Sequence, residues 1–88
     1  MAIDYSYLPE HMQEGVRGYI ERGWLPGSFL NAVLCNNLTT AAANADEINK
    51  HALFQWAQFL IQELPMEAYG SQEIVNAYVR KKRSKSDA

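Results

Sequence analysis

The chain has one cysteine, Cys35, so it cannot close an internal disulfide, and such sparse usage fits a reducing compartment. No apolar run approaches the roughly 20 residues that a membrane-spanning helix needs. The first ten residues carry Asp4, Pro9 and Glu10 in place of a basic end followed by an apolar stretch, and they do not read as a signal peptide. Strand-like alternation, Asn-Gly turns and internal repeats are missing as well. These absences point to a cytosolic, all-helical chain. They also remove most chemistry. There is no Gly-x-Ser-x-Gly elbow, Gly-rich phosphate loop or His-Glu-x-x-His pair. A structural zinc site wants four Cys/His ligands, and only Cys35, His11 and His51 are on offer. The expectation is a protein that is not an enzyme and carries no metal and no cofactor.

What is present is a rich core in a short chain. The 88 residues are 48% hydrophobic and 11% aromatic, enough for one small domain and far from the composition of disorder. The net charge of −2 is unevenly placed. Residues 1–79 hold three basic residues against nine acids, a net −6, while residues 80–88 hold five against one, a net +4. This is an acidic body with a basic tail.

Four helices are expected in a compact domain over 1–82, followed by a flexible basic tail over 83–88. The first begins at Leu8-Pro9, because proline suits the first helical turn, and its apolar stripe is Met12, Val16, Tyr19 and Ile20. Gly23 suits its C-terminal cap. Ser28 suits the N-cap of a second helix running to about residue 43, although Asn36, Asn37, Thr39 and Thr40 are poor helix formers. Asn44 suits a left-handed cap and Asp46 an N-cap. The third helix, about 46–64, is stopped by Pro65, and its apolar arc covers roughly two-thirds of its circumference. It is expected to be a hub packed on two sides, with Ile48, Ala52 and Phe59 flanking its central stripe on one side and Phe54 and Ile61 on the other. Ser71 caps a fourth helix over 72–82 that buries Ile74, Val75, Tyr78 and Val79.

Few side chains suggest a task. His11 and His51 read as solvated surface residues, and Glu47 with His51 as an ordinary pair one helical turn apart. Cys35 reads as a largely buried, inert thiol. Gly15 and Gly18 edge the first helix's apolar stripe, a costly choice explained by close approach of another backbone, the third helix's in preference to a second chain's. Glu10, Glu14 and Glu21 line the opposite face with Arg17 among them, which reads as an ordinary solvated face or, more sharply, as a surface complementary to a basic partner such as a nucleic-acid-binding protein. Tyr5, Tyr7, Trp24 and Leu25 would serve beside it as anchors, because aromatics bury large area at low entropic cost; the alternative is that Tyr7, Trp24 and Leu25 simply close the core. Arg80, Lys81, Lys82, Arg83 and Lys85 suggest weak, non-specific nucleic-acid binding, or else a solubilising tail at a helix C-terminus.

Several stretches carry a family likeness: Tyr5-Ser6-Tyr7-Leu8-Pro9-Glu10-His11-Met12, Tyr19 to Gly23, Pro26 to Leu30 with Ala32-Val33-Leu34, Ala45 to Asn49, and Tyr69-Gly70-Ser71. Together they resemble a family of small phage- and prophage-encoded proteins of unknown function, across most of the chain up to Tyr78. Asn37 stands where that family tends to have Asp, Tyr69 where it tends to have Trp, and the basic tail lies outside the shared pattern. The resemblance implies a phage origin and the bacterial host cytoplasm, and it supplies no catalytic residues. Small acidic phage proteins often bind and modulate a host protein, inhibitors of host defence among them. The leading expectation is therefore an accessory protein that binds a host or phage protein. Its alternatives are a nucleic-acid-binding module using the tail, and a homo-oligomer, at simplest a homodimer, formed through surplus apolar surface on the third helix.

Overall fold

Asp4 organises the start of the fold in the computed structural model, which describes residues 3–87, with side chains up to residue 84. Its carboxylate accepts from the Ser6 backbone N–H at 2.9 Å and the Ser6 hydroxyl at 2.6 Å, closing a 3-10 turn over Tyr5–Tyr7. After Pro9 the chain enters α1, Glu10–Arg22. Its apolar stripe buries Val16, Tyr19 and Ile20. Gly23 ends the helix at φ 72°, the left-handed conformation that glycine adopts without steric cost.

The expected second helix is two. α2 spans Ser28–Leu34 and α3 spans Leu38–Asn44, with Gly27 and not Ser28 at the first N-cap. Between them Asn36 takes φ 59°, so the left-handed residue is Asn36 and not Asn44, whose side chain donates to the Thr40 carbonyl. Two backbone bonds fix the break: Asn37 N–H donates to Ala32 O at 2.9 Å, and Gly70 N–H to Leu34 O at 2.7 Å. Asn37 then caps α3 by accepting from Thr40 N–H.

The expected hub is also divided, into α4, Glu47–His51, and α5, Leu53–Glu63, with Ala52 non-helical between them. Asp46 caps α4 as expected. Packing on two sides does not occur. α5 buries Trp56, Phe59 and Leu60, but Phe54 and Ile61 are 72% and 74% exposed, and Ile48 is exposed on α4. An apolar arc records which residues would tolerate burial, and among the described residues no element covers this flank. Past a second 3-10 turn, Met66–Ala68, Ser71 caps α6, Gln72–Asp87, which continues through the basic residues. Val75, Tyr78 and Val79 are buried there, and Ile74 stays 37% exposed.

The molecule is all-α, without strands among the described residues. Its core gathers Val16 and Tyr19 of α1, Phe29 and Leu34 of α2, Trp56 and Phe59 of α5, and Val75 of α6. Buried hydroxyls tie the layers together. Tyr19 donates to Ala68 O and Tyr78 to Ile20 O, both at 2.7 Å, and burial pushes both phenol pKa values up. No described helix is long and apolar enough to cross a membrane.

Candidate partner-binding surface

α1 divides its glycines between two tasks. A Cβ on Gly18 would overlap the Trp24 ring, so this position lets the indole lie flat on the helix. The Arg22 guanidinium covers that ring at 5.6 Å from its centroid. The expected close approach is therefore made by a side chain and comes from within the chain. Gly15, in contrast, has nothing within 4 Å of where a Cβ would stand. It faces a cavity of about 330 Å³ between α1, the Trp24–Gly27 loop, α2 and the start of α4.

Met12, Leu25, Pro26 and Phe29 give this cavity an apolar wall, and Asn44, Asp46 and Asn49 give it a polar edge. Gly27 also lines it, again with nothing within 4 Å of its would-be Cβ. Trp24 and Leu25 stand at its side, 41% and 69% exposed. Asn49 was not singled out from the sequence, and it is the buried polar residue of the core at 2% exposure. Its Oδ1 accepts from the Trp56 indole N–H at 3.1 Å. The sequence signal for it is slight: one Asn among the polar residues of α4, one turn after the Asp46 cap.

His11 is not simply solvated. Its Nε2 lies 2.9 Å from Asp46 Oδ2 and joins the start of α1 to the cap of α4. The Asp46 carboxyl is held below its ordinary pKa, first by the Asn49 backbone N–H and then by the His11 hydrogen bond. His51 is exposed, 3.8 Å from Glu47.

The proposed anchors separate into two groups. Tyr5 is buried, its ring 5.8 Å from Phe59 and beneath the Arg17 guanidinium. Tyr7 is half-buried, and its hydroxyl donates to Gln62 Oε1 at 2.7 Å. Both close the core and are withdrawn as anchors. Trp24 and Leu25 remain available, and Glu10, Glu14 and Glu21 are all exposed, with Glu21 3.9 Å from Arg17. Glu14 and Trp24 share a second depression with Arg17, Gly18 and Arg22, so cations stand beside Glu14 there, and Asp46 is the acid that lines the Gly15 cavity itself.

Three cations of the basic run turn back onto the fold. Lys81 pairs with Glu67 at 3.0 Å, Lys82 lies over the Tyr78 ring, and Arg83 Nε donates to Gly23 O at 3.2 Å. Arg80 is exposed, and the Lys85 side chain lies outside the described residues. Cys35 is half-buried with its Sγ 3.6 Å from Gln72 Oε1, and burial raises its pKa, which favours the thiol over the reactive thiolate. Among the described residues no group of three or more His, Cys, Asp or Glu side chains gathers as a metal site would. No protein-family profile, curated protein or solved structure matches the chain.

Proposed function

We propose that this chain is a non-enzymatic binding protein that receives an apolar side chain of a partner protein in the Gly15–Leu25 cavity. The observation that carries this reading is the open cavity itself, walled by apolar groups and bare where Gly15 and Gly27 place no side chain. A mostly apolar recess with a few polar groups at its edge is the usual form of a recognition pocket. Trp24 and Leu25 at its side contribute the large exposed area typical of interface anchors. Asp46 at the cavity's edge, with Glu10, Glu14 and Glu21 exposed on α1, favours basic residues flanking the partner's anchor, by charge complementarity. The resemblance to phage-encoded proteins directs the search for that partner to the bacterial host cytoplasm, where an accessory factor acting on a host protein would work.

Gly15→Leu tests this directly, because it fills the cavity from a helical position that has room for a side chain. Wild type, Gly15→Leu, Leu25→Asp and a Glu10/Glu14/Glu21 charge reversal are each used to recover proteins from host lysate. The expected result is one partner retained by wild type, lost with the first two variants and weakened by the third. Equal recovery of the same partner by wild type and Gly15→Leu would sink the reading.

A further inference from the structure

Every charged residue of this protein lies outside two segments. No Asp, Glu, Lys or Arg occurs between Arg22 and Asp46, or between Lys50 and Glu63. The fold brings these segments together. α2 and α3 from the first and α5 from the second form a groove of about 140 Å³, lined by Leu38, Ala41, Leu53, Ala57 and Leu60 among others. Beside it on α5 stand Phe54 and Ile61, three residues before and four after Ala57, hence on the same side of the helix. Leu38, Phe54 and Ile61 are 71%, 72% and 74% exposed. Asn36 and Asn37 in the groove wall and Gln58, one turn after Phe54, are uncharged, and Lys50 and His51 stand at the end of α4 just before α5 begins.

We propose that this uncharged face is a homodimer interface, occupied by the same face of a second copy related by a two-fold axis. Three observations favour a second copy over a different protein. The face carries both parts of a fit side by side: two protruding side chains of α5, Phe54 and Ile61, and a recess between Ala57 of α5 and Ala41 of α3. A self-complementary patch of that kind is what a two-fold interface requires. Its composition also suits pairing with itself, since a charge near the two-fold axis would meet its own copy, and neither segment carries an Asp, Glu, Lys or Arg. Depletion of charge at the centre is the compositional mark of an interface core.

Its size is right as well. The three exposed side chains present roughly 400 Å² of apolar surface, at on the order of 200 Å² for a side chain of this size. A homodimer burying about 800 Å² per partner, about 65% of it apolar, needs about 500 Å². Ala57 and the groove walls make up the difference. This site lies on different residues from the Gly15 cavity, so a dimer would present two such cavities.

Light scattering or sedimentation of the full chain, from about 1 μM to about 500 μM, tests the proposal. The mass is expected to rise with concentration to twice the 10.0 kDa of one chain. Phe54→Glu and Ile61→Glu each change an exposed side chain, so they should keep the circular dichroism of the wild type. Each is expected to hold the mass at that of one chain and to raise the dissociation constant at least about 100-fold. Met66→Glu, at another exposed apolar residue, and Gly15→Leu should leave the doubled mass intact. That keeps dimerisation separate from loss of the bound partner. A wild type that stays at the mass of one chain throughout, or a doubled mass that survives both charged variants, overturns the proposal.

Discussion

Gly15, Gly18 and Gly23 occupy one helix and its cap, yet alanine should act on each differently. At Gly15 alanine meets open space on an exposed part of the helix, and it removes backbone freedom from the unfolded chain. A gain of about 0.5–1 kcal/mol is expected there, worth roughly 4 °C in melting temperature. At Gly18 the new methyl displaces the Trp24 ring, and stability should fall. At Gly23 the left-handed backbone alone costs about 1 kcal/mol. The Lys82 Cβ at 2.9 Å and the Val79 carbonyl at 3.1 Å would add to that cost by pushing α6 away. Thermal melts of the three variants should rank Gly15→Ala above wild type and the other two below it. Asn49 supports a further expectation at this scale. Asn49→Ala strands the buried Trp56 indole N–H, at a cost of about 1–3 kcal/mol, which a urea titration reads directly. Asn49→Ala falling within a few tenths of a kcal/mol of wild type would show that water replaces the lost acceptor.

Helix boundaries were legible where local chemistry sets them and obscure where packing does. Pro9, Gly23 and Ser71 set both ends of α1 and the start of α6 through their own backbone or side-chain preferences, each within a residue or two of expectation, whereas α6 runs on past the expected 82 to Asp87. The break at Asn36 depends on Gly70 donating to Leu34, a contact between residues far apart in sequence, so composition could mark weak helix there without deciding it. The same limit applies to the candidate site. Trp24, Leu25 and the acidic line could be read from sequence, whereas the burial of Tyr5 depends on where Phe59 comes to lie. The caps themselves can be tested. Asn37→Ala removes the acceptor for Thr40 N–H and should cost about 1 kcal/mol, while Asn37→Asp should retain it. Asp46 adds a dependence on pH. Its folded pKa lies below the ordinary 3.8, so its contribution is complete above that value and is lost as pH falls through the lower, folded value. Wild type should therefore lose more stability than Asp46→Asn between about pH 6 and about pH 2.5 in urea titrations. Parallel losses would show that the cap does not sense protonation.

At the scale of the whole molecule the charge asymmetry becomes a structural force. The body over residues 1–79 is net −6 and the segment over 80–88 net +4. α6 carries those cations back along the fold, where Lys81 meets Glu67 and Arg83 meets the carbonyl of Gly23 just past the end of α1. Each exposed contact is worth less than about 1 kcal/mol, but the attraction between segment and body acts throughout and salt screens it. Raising the salt concentration should thus lower the melting temperature of the full chain by a few degrees. A chain ending at Val79 keeps the buried Val75, Tyr78 and Val79 and loses only the cationic segment. Its net −6 now repels itself, so the same salt should raise its melting temperature. Shortening a helix lowers stability without reversing a salt response, so the change of sign isolates the electrostatic part. Melting temperatures that move in the same direction for both chains would assign the basic residues to helix length and packing alone.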